Sequence, residues 1–164
     1  MNSFNRRFHN EILAYSTDIA ELTGIRKKWL ETINRSSFIL SMYSNTDVTF
    51  IALIDNYIIP INISINNIPY PFKAPKIRVN GHSYNSLLQI NRNAAKILKL
   101  KCLCCTTLTC RNNWCVRHNL FDLLNEVKNT LEIKLRSIEI YHCIKIIDKY
   151  FGDGLRCLPI VYFL

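Results

Sequence analysis

The chain has 164 residues, 49% of them hydrophobic and 20% charged, so it can bury a core of its own and wholesale disorder is excluded. Its formal net charge of +9 permits an acidic partner. The lysines and arginines are scattered in short groups, however, without the dense basic stripe of a nucleic-acid reader, so nucleic acid is not an expected partner.

The first predicted element is an amphipathic helix near the start of the chain. Phe4, Phe8 and Leu13, together with Ile12, recur at helical spacing. The basic pair Arg6-Arg7 occupies the opposite face, where a solvated surface is the ordinary interpretation. A rougher helical period continues over residues 19–33 and contains a glycine, so one long helix and two shorter helices both remain open.

The middle of the chain predicts a four-stranded antiparallel meander. Asp55-Asn56 lies between two runs of β-branched and aromatic residues and suits a hairpin turn. A bend punctuated by prolines follows at residues 68–75. Because proline cannot occupy a central ladder, the chain must leave one strand there and enter a fourth at residues 76–79. The first three runs cover residues 37–42, 48–54 and 57–65.

The last third predicts a long connection and then two helices. Asn119 can cap a helix whose leucines share one face, with Asp122 near its positive end. A second amphipathic helix is predicted over residues 137–151 and ends at Gly152. The expected fold class is therefore α+β, with helix, meander, a site on a loop, and helices, in a single domain of residues 1–164.

Five of the seven cysteines fall within residues 102–115. Such a cluster can bind a metal, form disulfides or present a reactive thiol. The odd number of cysteines and the lack of an apolar leader favour reduced thiols in the cytoplasm or nucleus, so disulfides are the least expected use. No apolar run reaches the length of a membrane span, and no membrane partner is expected.

Zinc is the main alternative use of this cluster. The candidate ligands are Cys105, Cys110, Cys115 and His118. Structural zinc takes four such ligands in a tetrahedron, but this spacing is loose and a second knuckle is missing. We therefore expect no metal, and keep a small zinc-bearing interaction domain as an alternative.

The order of these pieces resembles the ubiquitin-conjugating enzyme family. The family runs from a basic amphipathic helix through a meander to a Tyr-Pro-x-x-x-Pro bend, an active-site Cys-Leu, a tryptophan and a leucine-rich helix. The counterparts here are residues 6–13, residues 70–75, Cys102-Leu103, Trp114 and Leu120-x-x-Leu123-Leu124. The resemblance covers about residues 4–131, and residues 132–164 match only as a helical extension.

The resemblance implies a transferase without a cofactor. Its cysteine would receive the ubiquitin C-terminus from an activating enzyme as a thioester and pass it to a lysine amine. Cys102 best matches the family's Cys-Leu. Counting back from Trp114 favours Cys104 or Cys105 instead. An inactive relative that binds ubiquitin or another partner is the second alternative.

The resemblance also implies roles for residues around the reactive thiol. Asn85 stands where the family has His-Pro-Asn, whose asparagine is thought to steady the oxyanion, although the proline is absent here. Asn112 and Asn113 are further candidate donors, and Lys99 lies in a basic, partly helical piece, residues 91–101, that looks inserted. The implied partners are ubiquitin, a ubiquitin ligase, and an activating enzyme that contacts the helix carrying Arg6 and Arg7.

Overall fold

A computed structural model of the protein describes residues 3–17, 24, 33, 37–100, 102–110 and 112–151. Most of the predicted helical period over residues 19–33 lies outside these described residues, as does Gly152. The described elements form an α+β fold, as expected, with an N-terminal helix, an antiparallel sheet, short helical turns and a long C-terminal helix.

Along the described chain, one helix is followed by the strands of the sheet, then by short helical turns and a long helix. The helices are α1 (Ser3–Ser16), α2 (Tyr84–Leu87), α3 (Arg92–Ile97) and α4 (Leu120–Phe151), and a 3₁₀ turn covers Leu103–Cys105. The strands are β1 (Phe38–Tyr43), β2 (Asp47–Ile54), β3 (Tyr57–Ser64), β4 (Lys76–Val79) and β5 (His82–Ser83). They pair antiparallel in the order β1-β2-β3-β4-β5.

The sheet has one strand more than the sequence predicts. Asn80 and Gly81 have φ values of 48° and 78°, and they turn the chain so that β5 pairs with β4. A two-residue hairpin of this kind needs positive φ at both central positions, which asparagine and glycine tolerate. The four-stranded prediction is therefore wrong by this short fifth strand.

The predicted N-terminal helix is present, and of its predicted apolar residues Phe8 and Ile12 are confirmed as buried while Leu13 is not. Phe8 and Ile12 are fully buried, whereas Leu13 is 38% exposed. Residues four apart stack on one helix face, and a residue five positions from Phe8 points well away from it. Tyr15 joins the layers: its ring lies 5.1 Å from that of Phe50 in β2 and 5.9 Å from that of Phe121 in α4.

One continuous helix of 32 residues, α4, replaces the two helices predicted at the C-terminal end. The predicted cap is confirmed, because Asn119 Oδ1 accepts hydrogen bonds from the backbone N–H groups of Phe121 and Asp122, at 2.8 and 3.1 Å. The predicted break between two helices at residues 132–136 is wrong, because these residues are all compatible with a helix and α4 runs through them. Neither α4 nor any other described helix is long and apolar enough to cross a membrane.

The inserted piece is partly helical, as expected. Asn91 Oδ1 accepts hydrogen bonds from the backbone N–H groups of Asn93 and Ala94, which caps α3. Ala94 is fully buried, and α3 packs against α4. Residues 91–100 thus form a docked element that leads the chain into the cysteine-rich loop.

Candidate functional site

A buried carboxylate, Glu11 of α1, joins three segments that are distant in sequence. Arg7 Nε donates a 2.8 Å hydrogen bond to Oε1, while Oε2 accepts bonds from the Tyr70 hydroxyl at 2.6 Å and from the Leu120 N–H at 3.0 Å. Glu11 is 0% exposed. The N-terminal helix, the proline bend and the start of α4 therefore share one acceptor, which the sequence analysis did not single out.

The electrostatics of this group follow from its burial. Desolvation raises the pKa of Glu11 above its ordinary value, although the hydrogen bonds from Tyr70 and Arg7 favour the ionised form. Burial, with the neighbouring Glu11 carboxylate second, raises the pKa of Tyr70 well above its ordinary value. The Tyr70 hydroxyl therefore stays protonated and remains a donor to the carboxylate.

Arg7 is a structural residue rather than part of a solvated face. In addition to its bond to Glu11, its guanidinium donates to the backbone carbonyls of Val116 and His118, the second at 2.8 Å. The guanidinium carbon also lies 5.8 Å from the centre of the Tyr70 ring. Arg6 is exposed, in agreement with the prediction. The two arginines thus have different roles: Arg7 fastens the loop before α4, and Arg6 presents its charge to solvent.

Trp114 connects the end of the cysteine-rich loop to the proline bend. Its Nε1 donates a 2.8 Å hydrogen bond to the Pro71 carbonyl, across 43 positions of sequence. Its ring lies 6.1 Å from that of Tyr70, and the Tyr70-Pro71 peptide is cis. An adjoining cleft of about 570 Å³ is lined by Phe72, Lys73, Ala74, Thr109 and Trp114.

Three cysteines gather at the 3₁₀ turn, and all three are exposed. Cys105 Sγ lies 3.7 Å from Cys102 Sγ and 3.8 Å from Cys104 Sγ. Residues three apart are eclipsed on a 3₁₀ helix, which brings Cys102 and Cys105 together. We refer to Cys102, Cys104 and Cys105 as the cysteine cluster.

Cys102 and Cys104 form a disulfide, so the expectation of reduced thiols is wrong for these two residues. The tight turn at Leu103 brings their Cα atoms to 5.6 Å, a separation that a disulfide spans without backbone movement. Cys105, Cys110, Cys115 and Cys143 are free. Within the cluster, Cys105 is therefore the one free thiol, and the other two become thiols only on reduction.

A second acidic side chain, Glu126 of α4, holds the loop that follows the cluster. Its Oε1 accepts hydrogen bonds from the hydroxyls of Tyr84, at 2.9 Å, and Thr107, at 2.5 Å, and its Oε2 accepts the N–H of Leu108. Burial raises the pKa of Tyr84 far above its ordinary value. Glu126 therefore ties α2 and the loop to the same turn of α4.

Asn113 closes the same loop from its other end. Its Nδ2 donates to the Cys105 carbonyl at 2.8 Å and to the Thr107 carbonyl at 2.9 Å. Both amide hydrogens are thus engaged with the backbone. Asn113 shapes the loop in this structure and has no N–H left for an oxyanion, while Asn112 beside it is exposed.

Asn85 lies in α2, on a different cleft from the cysteine cluster. It is exposed and lines a shallow cleft of about 200 Å³, together with Lys76, Tyr84 and Thr109. None of the three clustered cysteines is among the lining residues of that cleft. The structure thus brings Cys102, Cys104 and Cys105 together with one another, and it places Asn85 apart from them.

The four residues considered as alternative zinc ligands do not assemble in the described part of the chain. In the described part of the chain, the cysteine cluster is the one group of three or more ligand atoms lying within 4.8 Å of one another. Cys115 Sγ is 3.9 Å from His118 Nε2, and the Cys115 N–H donates to His118 Nδ1 at 3.1 Å, so these two pair locally. Cys105 instead belongs to the cluster, because the 3₁₀ turn directs it toward Cys102.

The cluster has a sequence signal that the sequence analysis missed. Cys102-Leu103-Cys104-Cys105 contains the spacing Cys-x-x-Cys, with a third cysteine inside it. That spacing is typical of metal knuckles and of redox-active cysteine pairs. The signal was available without the structure, whereas the exclusion of Cys110 and Cys115 depends on the path of the loop.

Comparisons of the chain with protein-family models, with curated proteins and with solved structures find no match. The resemblance to ubiquitin-conjugating enzymes therefore rests on the residues themselves. Two of its pieces, the Tyr70-Pro71 bend and Trp114, are in direct contact. A third, helix α1, reaches the same bend through Glu11.

Proposed function

We propose that this protein is a ubiquitin-conjugating transferase whose acceptor thiol lies in the cysteine cluster. The hydrogen bond from Trp114 Nε1 to the Pro71 carbonyl carries the proposal. Through it, the bend and the tryptophan of the resemblance meet at the edge of a loop that exposes cysteines. Glu126 and Asn113 fix the following residues, so the loop presents these sulfurs from a defined backbone.

The chemistry requires little beyond an exposed thiolate. The cysteine thiol loses its proton and attacks the carbonyl carbon of the ubiquitin thioester on the activating enzyme, and the thiolate of that enzyme leaves. A lysine amine then attacks the new thioester, its nitrogen loses a proton to solvent as the amide bond forms, and the cysteine departs as a thiolate. Cys102 is the proposed acceptor and needs its disulfide reduced, while Cys105 is the alternative that is already free.

Loading of the reduced protein tests the proposal. The chain, freed of reductant, is incubated with activating enzyme, ATP and ubiquitin, and resolved on a gel with and without thiol. We expect an adduct that thiol removes. Single Cys102→Ser, Cys104→Ser and Cys105→Ser variants assign the acceptor, since serine there yields a thiol-resistant ester. Cys143→Ser, at an exposed cysteine of α4, is the matched control. No adduct beside a competent conjugating enzyme would exclude the activity.

An inactive, ubiquitin-binding relative is the second candidate, and the disulfide favours it. With Cys102 and Cys104 joined, two of the three clustered sulfurs cannot accept ubiquitin. This alternative predicts that the fully reduced chain binds ubiquitin in a titration but forms no thioester. The same reduced preparation therefore separates the two functions.

A further inference from the structure

We infer that the cysteine cluster, once reduced, binds a thiophilic cation of the Zn²⁺ type. The inference goes beyond the transferase and does not depend on it. It rests on three sulfurs gathered at one turn, on the distances between them, and on a backbone that is held by its own hydrogen bonds.

The sulfur separations fit a metal thiolate site. With Zn–S bonds of about 2.3 Å, a tetrahedral ion places neighbouring ligand sulfurs about 3.8 Å apart. Cys105 Sγ already lies 3.7 Å from Cys102 Sγ and 3.8 Å from Cys104 Sγ. Two edges of the required triangle are therefore present. The third edge opens when the disulfide between the other two cysteines is reduced.

The turn that carries these sulfurs is supported by its own hydrogen bonds. The Thr106 N–H and hydroxyl both donate to the Leu103 carbonyl, at 3.2 and 3.0 Å. Asn113 Nδ2 holds the Cys105 carbonyl at 2.8 Å. A ligand set on a backbone that is already folded loses less conformational freedom when it binds. Metal binding here needs side-chain rotation rather than folding of the loop.

The chemistry balances as follows. A dithiol reductant gives two electrons and two protons to the Cys102–Cys104 bond, which yields two thiols, and the reductant becomes a disulfide. Binding of Zn²⁺ then releases three protons and forms three Zn–S bonds. Among the residues that the structure describes, no fourth cysteine, histidine or carboxylate joins the cluster. The fourth position is open to water, as at zinc sites with three protein ligands.

A bound cation would engage the same sulfurs as the proposed thioester. Zinc binding and ubiquitin loading would therefore compete, and oxidation to the disulfide would abolish both. The two failures remain distinguishable, because metal binding is measured on the chain alone, without activating enzyme, ATP or ubiquitin.

Cadmium absorption tests the site directly. The protein is reduced, freed of reductant under nitrogen and titrated with Cd²⁺, which gives an ultraviolet thiolate-to-metal band, and the titration is repeated on protein that holds one equivalent of Zn²⁺. We expect one equivalent of Cd²⁺ to bind in both titrations, because the softer cadmium ion binds thiolate ligands more tightly than zinc and displaces it. The oxidised protein should show no such band. Mutation of a residue that orients a metal ligand typically lowers metal affinity about ten- to a hundredfold, and loss of a ligand itself should lower it at least as much. Cys102→Ser, Cys104→Ser and Cys105→Ser should each show that loss.

Two controls decide between this cluster and the alternative ligand set considered from the sequence, Cys105, Cys110, Cys115 and His118. Cys110→Ser and Cys115→Ser should retain wild-type affinity, because neither sulfur belongs to the cluster. Binding that survives Cys102→Ser and Cys104→Ser but is lost in Cys115→Ser would overturn the inference, and so would the absence of stoichiometric binding by the reduced, folded wild type. Far-ultraviolet circular dichroism confirms that each variant is folded, which the exposure of the three residues leads us to expect.

Discussion

The Tyr70 hydroxyl donates a 2.6 Å hydrogen bond to Oε2 of Glu11, which joins the proline bend to the N-terminal helix inside the core. Arg7 and the backbone N–H of Leu120, the first residue of α4, donate the other hydrogen bonds that this carboxylate accepts. Removing one partner of a buried ion pair leaves the other charge without compensation, and typically lowers the free energy of unfolding by about 3–5 kcal/mol. The geometry around the candidate site therefore depends on Glu11, although Glu11 itself is far from the cysteine cluster in sequence.

Glu11 should give the protein a measurable pH dependence of stability. Burial raises its folded-state pKa above the ordinary value of 4.5, so the folded chain binds this proton more tightly than the unfolded chain. The resulting stabilisation is complete below about pH 4.5 and is lost as the pH rises through the folded-state pKa. Glutamine cannot titrate. The unfolding free energy of wild type minus that of Glu11→Gln should therefore decrease with rising pH.

Denaturant unfolding at a series of pH values measures this difference. Glu132→Gln, at a partly exposed glutamate of α4 paired with Lys128, is the matched control. Its difference from wild type should vary less with pH than that of Glu11→Gln. A Glu11→Gln difference that stays constant or increases with pH would contradict the assigned direction of the pKa shift.

Glu126→Gln should loosen the cysteine-rich loop. The amide replaces one acceptor oxygen with a donor, which opposes the hydroxyls and N–H that the carboxylate now accepts. A buried donor left unsatisfied costs about 1–3 kcal/mol. We expect a stability loss of that size, with faster amide exchange at Leu108.

Glu139→Gln on the exposed side of the same helix is the control for that variant, and should change stability by less than about 0.5 kcal/mol. Equal amide exchange at Leu108 in Glu126→Gln and Glu139→Gln would show that Glu126 does not hold the loop.

Charge reversal at Arg6 tests the proposed contact with an activating enzyme. Arg6 is exposed, so Arg6→Glu should lower the rate of ubiquitin loading while changing stability by less than about 0.5 kcal/mol. Arg136→Glu, at an exposed arginine of α4, makes the same change in net charge. If both variants load at the same reduced rate, net charge rather than the α1 surface is responsible. Arg7 is unsuitable for this test because it pairs with Glu11.

Asn85→Ala tests the proposed oxyanion donor. Loss of one such donor typically lowers the rate of the chemical step by about a hundred- to a thousandfold. Because Asn85 lines a cleft that none of the clustered cysteines lines, we expect Asn85→Ala to discharge ubiquitin to free lysine at the wild-type rate. Asn93→Ala, at an exposed asparagine of α3, controls for the loss of a surface amide. Slowing by that factor in Asn85→Ala alone would show that Asn85 reaches the thioester carbonyl.

Much of the fold can be predicted from the sequence where the signal is local. The Asn119 cap acts within three residues of itself and is confirmed by its hydrogen bonds. The hairpin at Asp55-Asn56 is likewise present between β2 and β3. The Asn80-Gly81 turn is just as local, so β5 is also within reach of sequence reasoning.

Contacts between distant segments could not be predicted in this way. Glu11 and Glu126 look like ordinary helix-surface glutamates in the sequence, and only the packing of the bend and the loop reveals them as buried acceptors. The separation of Cys115 from the cysteine cluster has the same origin, because the path of the loop depends on Asn113. Cys102 and Cys105 differ in this respect, since their three-residue spacing on a 3₁₀ turn places them together.

Intact mass spectrometry of the reduced chain, after incubation with activating enzyme, ATP and ubiquitin, tests the transferase most directly. The account predicts a mass increase of one ubiquitin that disappears with thiol, persists in Cys143→Ser, and becomes thiol-resistant when the acceptor in the cysteine cluster is serine. An unchanged mass, beside a control conjugating enzyme that loads fully, would contradict it.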